Sequence, residues 1–127
     1  MKKNTKMEFN DNKAIYLQIT DLFFDEILMK KWNNGDRIPS VRELAINIEV
    51  NPNTVMRTYN YLQEKGIVFN KRGIGYFLAD DAYKATLNLR KEEFIQQELP
   101  QIFKTMNLLD IKLKDLEILY NEHINKK

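Results

Sequence analysis

The sequence predicts a mainly α-helical fold with one small β hairpin, on three observations. Two helical patterns, each with its own start signal, lie a few residues apart around Ser40 and Asn51. Two β-prone runs flank a basic, glycine-containing loop within residues 67–78. Beyond them, 48 residues without glycine carry apolar side chains at alternating spacings of three and four. Together these read as a winged helix-turn-helix followed by a short helical tail suited to dimerisation.

The elements follow in order. Residues 1–9, with Lys2, Lys3 and Lys6, form a basic polar lead expected to be flexible; no apolar core follows the charges, so it is not a signal peptide. Over residues 14–31, Ile15, Leu17, Ile19, Leu22, Phe23, Ile27 and Leu28 recur at mostly helical spacing, with Asp21, Asp25 and Glu26 between them. That first helix should end near Trp32-Asn33-Asn34-Gly35.

A second helix is expected over about residues 41–48, with Leu44, Ala45 and Ile48 inward. Ser40 stands three residues before Glu43, the spacing of a capping box, in which the serine oxygen accepts an orphan amide and the glutamate reaches back. A third helix is expected over about residues 52–65, with Val55, Tyr59 and Leu62 on one face. Asn51 supplies its cap, and Pro52 occupies the first helical position, where a missing N–H costs nothing. Gly66 closes it at a position where positive φ is cheap for glycine.

Ile67-Val68-Phe69-Asn70 and Tyr76-Phe77-Leu78 then read as a hairpin around Lys71-Arg72-Gly73-Ile74-Gly75. The winged region is thereby complete by residue 79, and residues 80–127 form the tail. There Leu99, Ile102, Met106, Leu109, Leu113, Leu116 and Tyr120 make an a/d seam of about three heptads. Pro100 should kink or break the helix near residues 97–99, and a second break near residues 109–112 has no glycine to mark it. So short a segment cannot bury this stripe alone; it must pack on the winged region or on a second copy.

Composition narrows the function. The 127 residues suit one main core, without cysteine and with a single histidine, His123. Disulfides and thiolate metal sites are thus excluded, and neither a metal nor a cofactor is expected. No apolar stretch approaches the roughly 20 residues of a membrane span. The expected location is the cytosol. Net charge is only +2, but residues 1–79 carry 12 Lys+Arg against 9 Asp+Glu while the remainder carries 8 against 9. The basic surplus sits with the helix-turn-helix pattern, where an electrostatic footprint on nucleic acid would lie. No carboxylate pair or nucleophile–base pair suggests an enzyme.

The residues around the third helix suit DNA. Asn53 has the donor–acceptor geometry for adenine N6 and N7, Thr54 suits a phosphate or a thymine methyl, and Arg57 suits a guanine or a phosphate. Ser40 and Arg42, opening the second helix, should face the phosphate backbone, and Asn51 is a cap first. Lys71, Arg72 and Gly73 at the wing tip suit a minor groove, where glycine permits close approach and basic side chains meet negative potential. The rival reading is a winged helix whose exposed face meets a partner protein. Aromatic anchors would favour it, but that face offers Asn53, Arg57 and Asn60, with Tyr61 the one aromatic. A small effector would enter a cleft beside the tail or across a dimer, and no residue cluster identifies one.

The run from Gly35 through Ser40-Val41-Arg42-Glu43-Leu44-Ala45 carries a family likeness. So do Val50-Asn51-Pro52-Asn53-Thr54-Val55 with Arg57 and Tyr59, Leu62 with Gly66-Ile67, and the wing residues Arg72, Gly73 and Gly75. They resemble the DNA-binding domain of the GntR family of bacterial transcription regulators. Ile15-Tyr16-Leu17-Gln18-Ile19 resembles its start, and the Asn-Pro-Asn-Thr run with the short tail resembles the YtrA-like branch. The resemblance implies a homodimer on a two-fold double-stranded DNA operator, usually a repressor and in that branch often near ABC-transporter genes. It carries Arg42, Asn53, Thr54, Arg57 and Gly73 onto positions that meet DNA. Many other members have arginine where this chain has Pro52 and Met56, so their operator rules do not transfer. Larger branches carry a further domain after the wing, for which 48 residues leave no room.

Overall fold

The computed structural model describes residues 9–10 and 12–126, so the basic lead, apart from Phe9, lies outside the described residues. The described residues fall into two compact units, divided after Asn88.

The first unit holds α1 (Ile15–Leu28), α2 (Val41–Ile48), α3 (Pro52–Glu64), a hairpin of β1 (Val68–Lys71) and β2 (Gly75–Leu78), and the start of α4 (Ala82–Glu93). Its core follows the expected periodicities. Ile19, Phe23 and Ile27, four apart on α1, are buried together with Leu44, Ala45 and Ile48 of α2 and Val55, Tyr59 and Leu62 of α3, the helix that packs on both. Ile67, Val68 and Leu78 close it from the hairpin side. The strands pair antiparallel, Val68 opposite Leu78 and Lys71 opposite Gly75.

A third, strand-like segment escapes the sequence pattern. The Gly35 N–H donates to Leu78 O, Leu78 N–H to Asp36 O, and Ile38 N–H to Tyr76 O, at 3.1, 2.8 and 3.0 Å. Arg37 thereby bridges Phe77 across the outer edge of β2. The first unit also runs nine residues past residue 79, because Ala82 and Thr86 of α4 are buried and Asn34 Oδ1 accepts from the Tyr83 N–H at 3.0 Å.

Four helices end alike. After α1, α2, α3 and α5 (Leu99–Leu108) the chain takes one left-handed residue, at Lys30, Glu49, Gly66 and Asp110, with φ of 60°, 57°, 74° and 56°. In each case the next amide reaches back five residues: Lys31 to Glu26, Val50 to Ala45, Ile67 to Leu62 and Ile111 to Met106. This is the Schellman ending, for which glycine is the usual residue. Only α3 uses it. That explains why α1 stops at Leu28, before the Trp32–Gly35 run expected to end it.

The second unit contains the end of α4, a π-helical turn at Phe94–Glu98, α5 and α6 (Leu113–Ile124). Pro100 has no N–H and its ring crowds the carbonyl four residues back. The π turn answers this: the Leu99 N–H reaches Phe94 O five residues back, and α5 starts afresh with proline in its first turn. The seam of about three heptads is divided a second time at residues 109–112, where a break was expected without a glycine to mark it. Asp110 turns the chain after α5, and the Lys112 N–H donates to Asp115 Oδ2 at 3.0 Å to start α6. No residue of the π turn, α5 or α6 is buried.

Candidate nucleic-acid interface

The start of α2 is the capping box the sequence implied. The Glu43 N–H donates to Ser40 Oγ at 3.0 Å and the Ser40 N–H donates to Glu43 Oε1 at 2.9 Å. The Ser40 amide, then the Ser40 side chain, and last the nearby charge of Arg37 hold the Glu43 carboxyl below its ordinary 4.5. The folded state therefore favours the charged form. Its stabilisation is whole above that ordinary value and fades as pH falls through the lowered one. Glu43→Gln should accordingly lose less stability than the parent between about pH 6 and 3, read from urea midpoints across that range. Parallel pH profiles would deny the carboxylate this role.

At α3, Asn51 Oδ1 accepts from the Asn53 N–H at 2.7 Å and Pro52 occupies the first turn, as expected. Three residues, Glu49 to Asn51, make the turn between α2 and α3. Asn53 and Arg57 are exposed and Thr54 is half-buried on the opening turns of α3; Arg42 is exposed on α2. At the wing, Arg72, Gly73 and Ile74 form the loop, closed by the Ile74 N–H on Lys71 O at 2.8 Å. Gly73 sits at φ 77°, a region that favours glycine. The Lys71 ammonium lies 5.0 Å from the centre of the Phe77 ring, so it is held against β2.

These elements share one anchor that the sequence showed only as a core position. The buried Tyr59 hydroxyl donates to Pro39 O, immediately before the α2 cap. Its ring meets Phe23 of α1 and Tyr76 of β2 edge-on, with centroids 5.5 and 4.8 Å apart. Burial, then Tyr76, then Glu43 push the phenol well above its ordinary range, so the proton stays on the oxygen to donate. The Tyr76 hydroxyl in turn faces Met56 Sδ of α3 at 4.0 Å. One side chain thus ties α1, the α2 start, α3 and the wing together.

Two arginine contacts complete the surface. Gly75 sits at φ 144°, which accounts for the second wing glycine, and the Arg37 side chain passes close by, 3.1 Å from where a Cβ would lie. The Arg57 guanidinium carbon lies over the Tyr16 ring, 4.0 Å from its centre. Sequence reasoning counted Tyr16 only in a family motif and gave Arg37 no role. Neither contact has a local spacing signal.

A capped helix offered beside a basic wing, with a second capped helix across its start, defines a winged helix-turn-helix of the DNA-binding class. The family model "Bacterial regulatory proteins, gntR family" matches residues 15–78. The chain belongs to the GntR family and is a DNA-binding transcription regulator. It is 38% identical over 109 residues to the uncharacterized HTH-type transcriptional regulator YhcF of Bacillus subtilis, spanning 86% of this chain and 88% of that protein. It is 36% identical over 102 residues to the HTH-type transcriptional repressor YtrA of the same organism, spanning 80% and 78%. A GntR-family regulator structure from Bacteroides thetaiotaomicron is 46% identical, with a TM-score of 0.76, over 88% of this chain and 98% of that one. None of the described helices is long and apolar enough to cross a membrane.

Proposed function

We propose that this chain is a homodimeric cytosolic repressor that binds a two-fold operator, one half-site per subunit, through α3 and the wing. It acts by binding alone, without catalysis or a cofactor, and its target is an operon of the transporter type. The carrying observation is the Tyr59 tie, which fixes the exposed face of α3, with Asn53, Thr54 and Arg57, relative to the α2 start and the wing. Asn53 and Arg57 read bases, Ser40 and Arg42 meet phosphates, and Lys71, Arg72 and Gly73 enter the minor groove. Asn51 holds the α3 start in place. Dimerisation by the tail is supported by its exposed apolar faces, and repression by the likeness to YtrA, which is named a repressor.

The test is selection of bound duplexes from a random pool, followed by a salt titration on the winner. An enriched inverted repeat with half-sites about 10 bp apart, or a multiple, and steep salt dependence is the expected result. Binding without enrichment would leave backbone contact only, and no binding would shift the weight to a protein partner. Arg57→Ala should weaken the selected duplex by about 1–3 kcal/mol if it reads a base. A uniform loss across sequences, with the salt slope flatter by about one unit, would assign it to a phosphate.

A further inference from the structure

We propose that Tyr16 is the positioning residue of the DNA-reading surface: its ring holds the Arg57 guanidinium in the orientation that DNA meets. The inference rests on the contact role proposed for Arg57 above. Tyr16 stands in the first turn of α1, 41 residues from Arg57, yet two observations bind them. The guanidinium lies 4.0 Å from the ring centre. The Tyr16 carbonyl also accepts from the hydroxyls of Thr20 and Thr58, both at 2.7 Å, and Thr58 is the buried neighbour of Arg57 on α3. The backbone beneath the ring is therefore fastened to the side chain of the residue that follows the arginine.

A guanidinium held over a ring by cation–π attraction uses none of its N–H donors in that contact and keeps them for a ligand. Among the described residues no hydrogen bond or ion pair takes up those donors. Tyr16 and Arg57 border an open groove of about 690 Å³, with Asn60, Gln63 and Glu64 along it. An arginine held in this way reaches the duplex with its rotamer already chosen, whereas a free one must be ordered on binding. The ring supplies that order, and the phenol oxygen has no part in it.

The test is a double-mutant cycle in the full chain on the duplex selected by the parent protein. Tyr16→Leu should weaken binding by about three- to thirty-fold, while Tyr16→Phe should bind like the parent. In an Arg57→Ala background the Tyr16→Leu loss should vanish. In the free protein the Arg57 side-chain protons should show an upfield ring-current shift that Tyr16→Phe keeps and Tyr16→Leu abolishes. Thermal melts on each variant separate loss of fold from loss of position. Tyr16→Leu binding like the parent while Arg57→Ala binds weakly would overturn the proposal and leave the role of Arg57 standing. A loss that persists in full without Arg57, or a Phe variant as weak as Leu, would also overturn it. Arg57→Ala binding like the parent would remove the role of Arg57 and this proposal with it.

Discussion

Tyr59→Ala is expected to lower the unfolding free energy by about 3–5 kcal/mol, the range for truncating a large buried aromatic. The ring is wholly buried, so the variant opens a cavity bordered by Phe23 and Tyr76, the edge-on partners of the ring. It also strips the Pro39 carbonyl of its donor. Tyr59→Phe separates the two parts. It keeps the ring and removes the hydrogen bond, for which about 0.5–1.5 kcal/mol is expected. Urea unfolding of both variants checks the stability terms. DNA affinity of Tyr59→Phe, measured well below its melting point, checks whether the bond to Pro39 sets the α2 start against α3. Stability of Tyr59→Ala within about 1 kcal/mol of the parent would mean that the anchor is not where the fold is held.

The second large effect is expected from Leu113→Asp. Within the single chain Leu108, Leu109 and Leu113 are 75%, 64% and 73% exposed, and Ile118, Leu119 and Tyr120 of α6 are also open to solvent. So much apolar surface suits contact with another protein surface, and the proposed dimer supplies one. Leu99, Ile102, Met106, Leu109, Leu113, Leu116 and Tyr120 are the residues assigned to that interface. A carboxylate at position 113 would be desolvated at each copy of the contact, without a partner. Sedimentation at tens of micromolar should change from dimer to monomer. Operator affinity should fall by about a hundredfold or more, because the second half-site is no longer held near the first. A variant that stays dimeric and binds as before would place the interface elsewhere.

Most of the first unit is legible in the sequence because its signals are local. Ser40 with Glu43 and Asn51 with Pro52 announce two helix starts within a few residues, and both are present. The hairpin is marked by its β-prone runs and glycines. What stays hidden depends on distant partners. Residues 35–38 read as a turn, since Gly35 and the proline after Ile38 break any strand pattern; only β2 gives that backbone something to pair with. The candidate contact residues stand out by chemical type, but their supports do not. Tyr16 and Tyr59 look like ordinary amphipathic-helix residues until the fold brings Arg57 and Pro39 to them. The division of the tail falls at the expected residues 109–112, but its cause is hidden: Asp110 takes a conformation for which sequence patterns point to glycine.

That substitution recurs, and it bears on how such a protein changes over generations. Lys30, Glu49 and Asp110 each hold a backbone conformation that costs a residue with a Cβ about 1 kcal/mol more than glycine. Folded domains sit only about 5–15 kcal/mol above unfolding, so three such positions amount to a reserve. A variant that acquires a new operator preference at the cost of stability has compensating changes open to it at Lys30 and Asp110, at helix ends away from the side chains proposed to read DNA. The reading surface is thereby freer to drift than the fold that carries it.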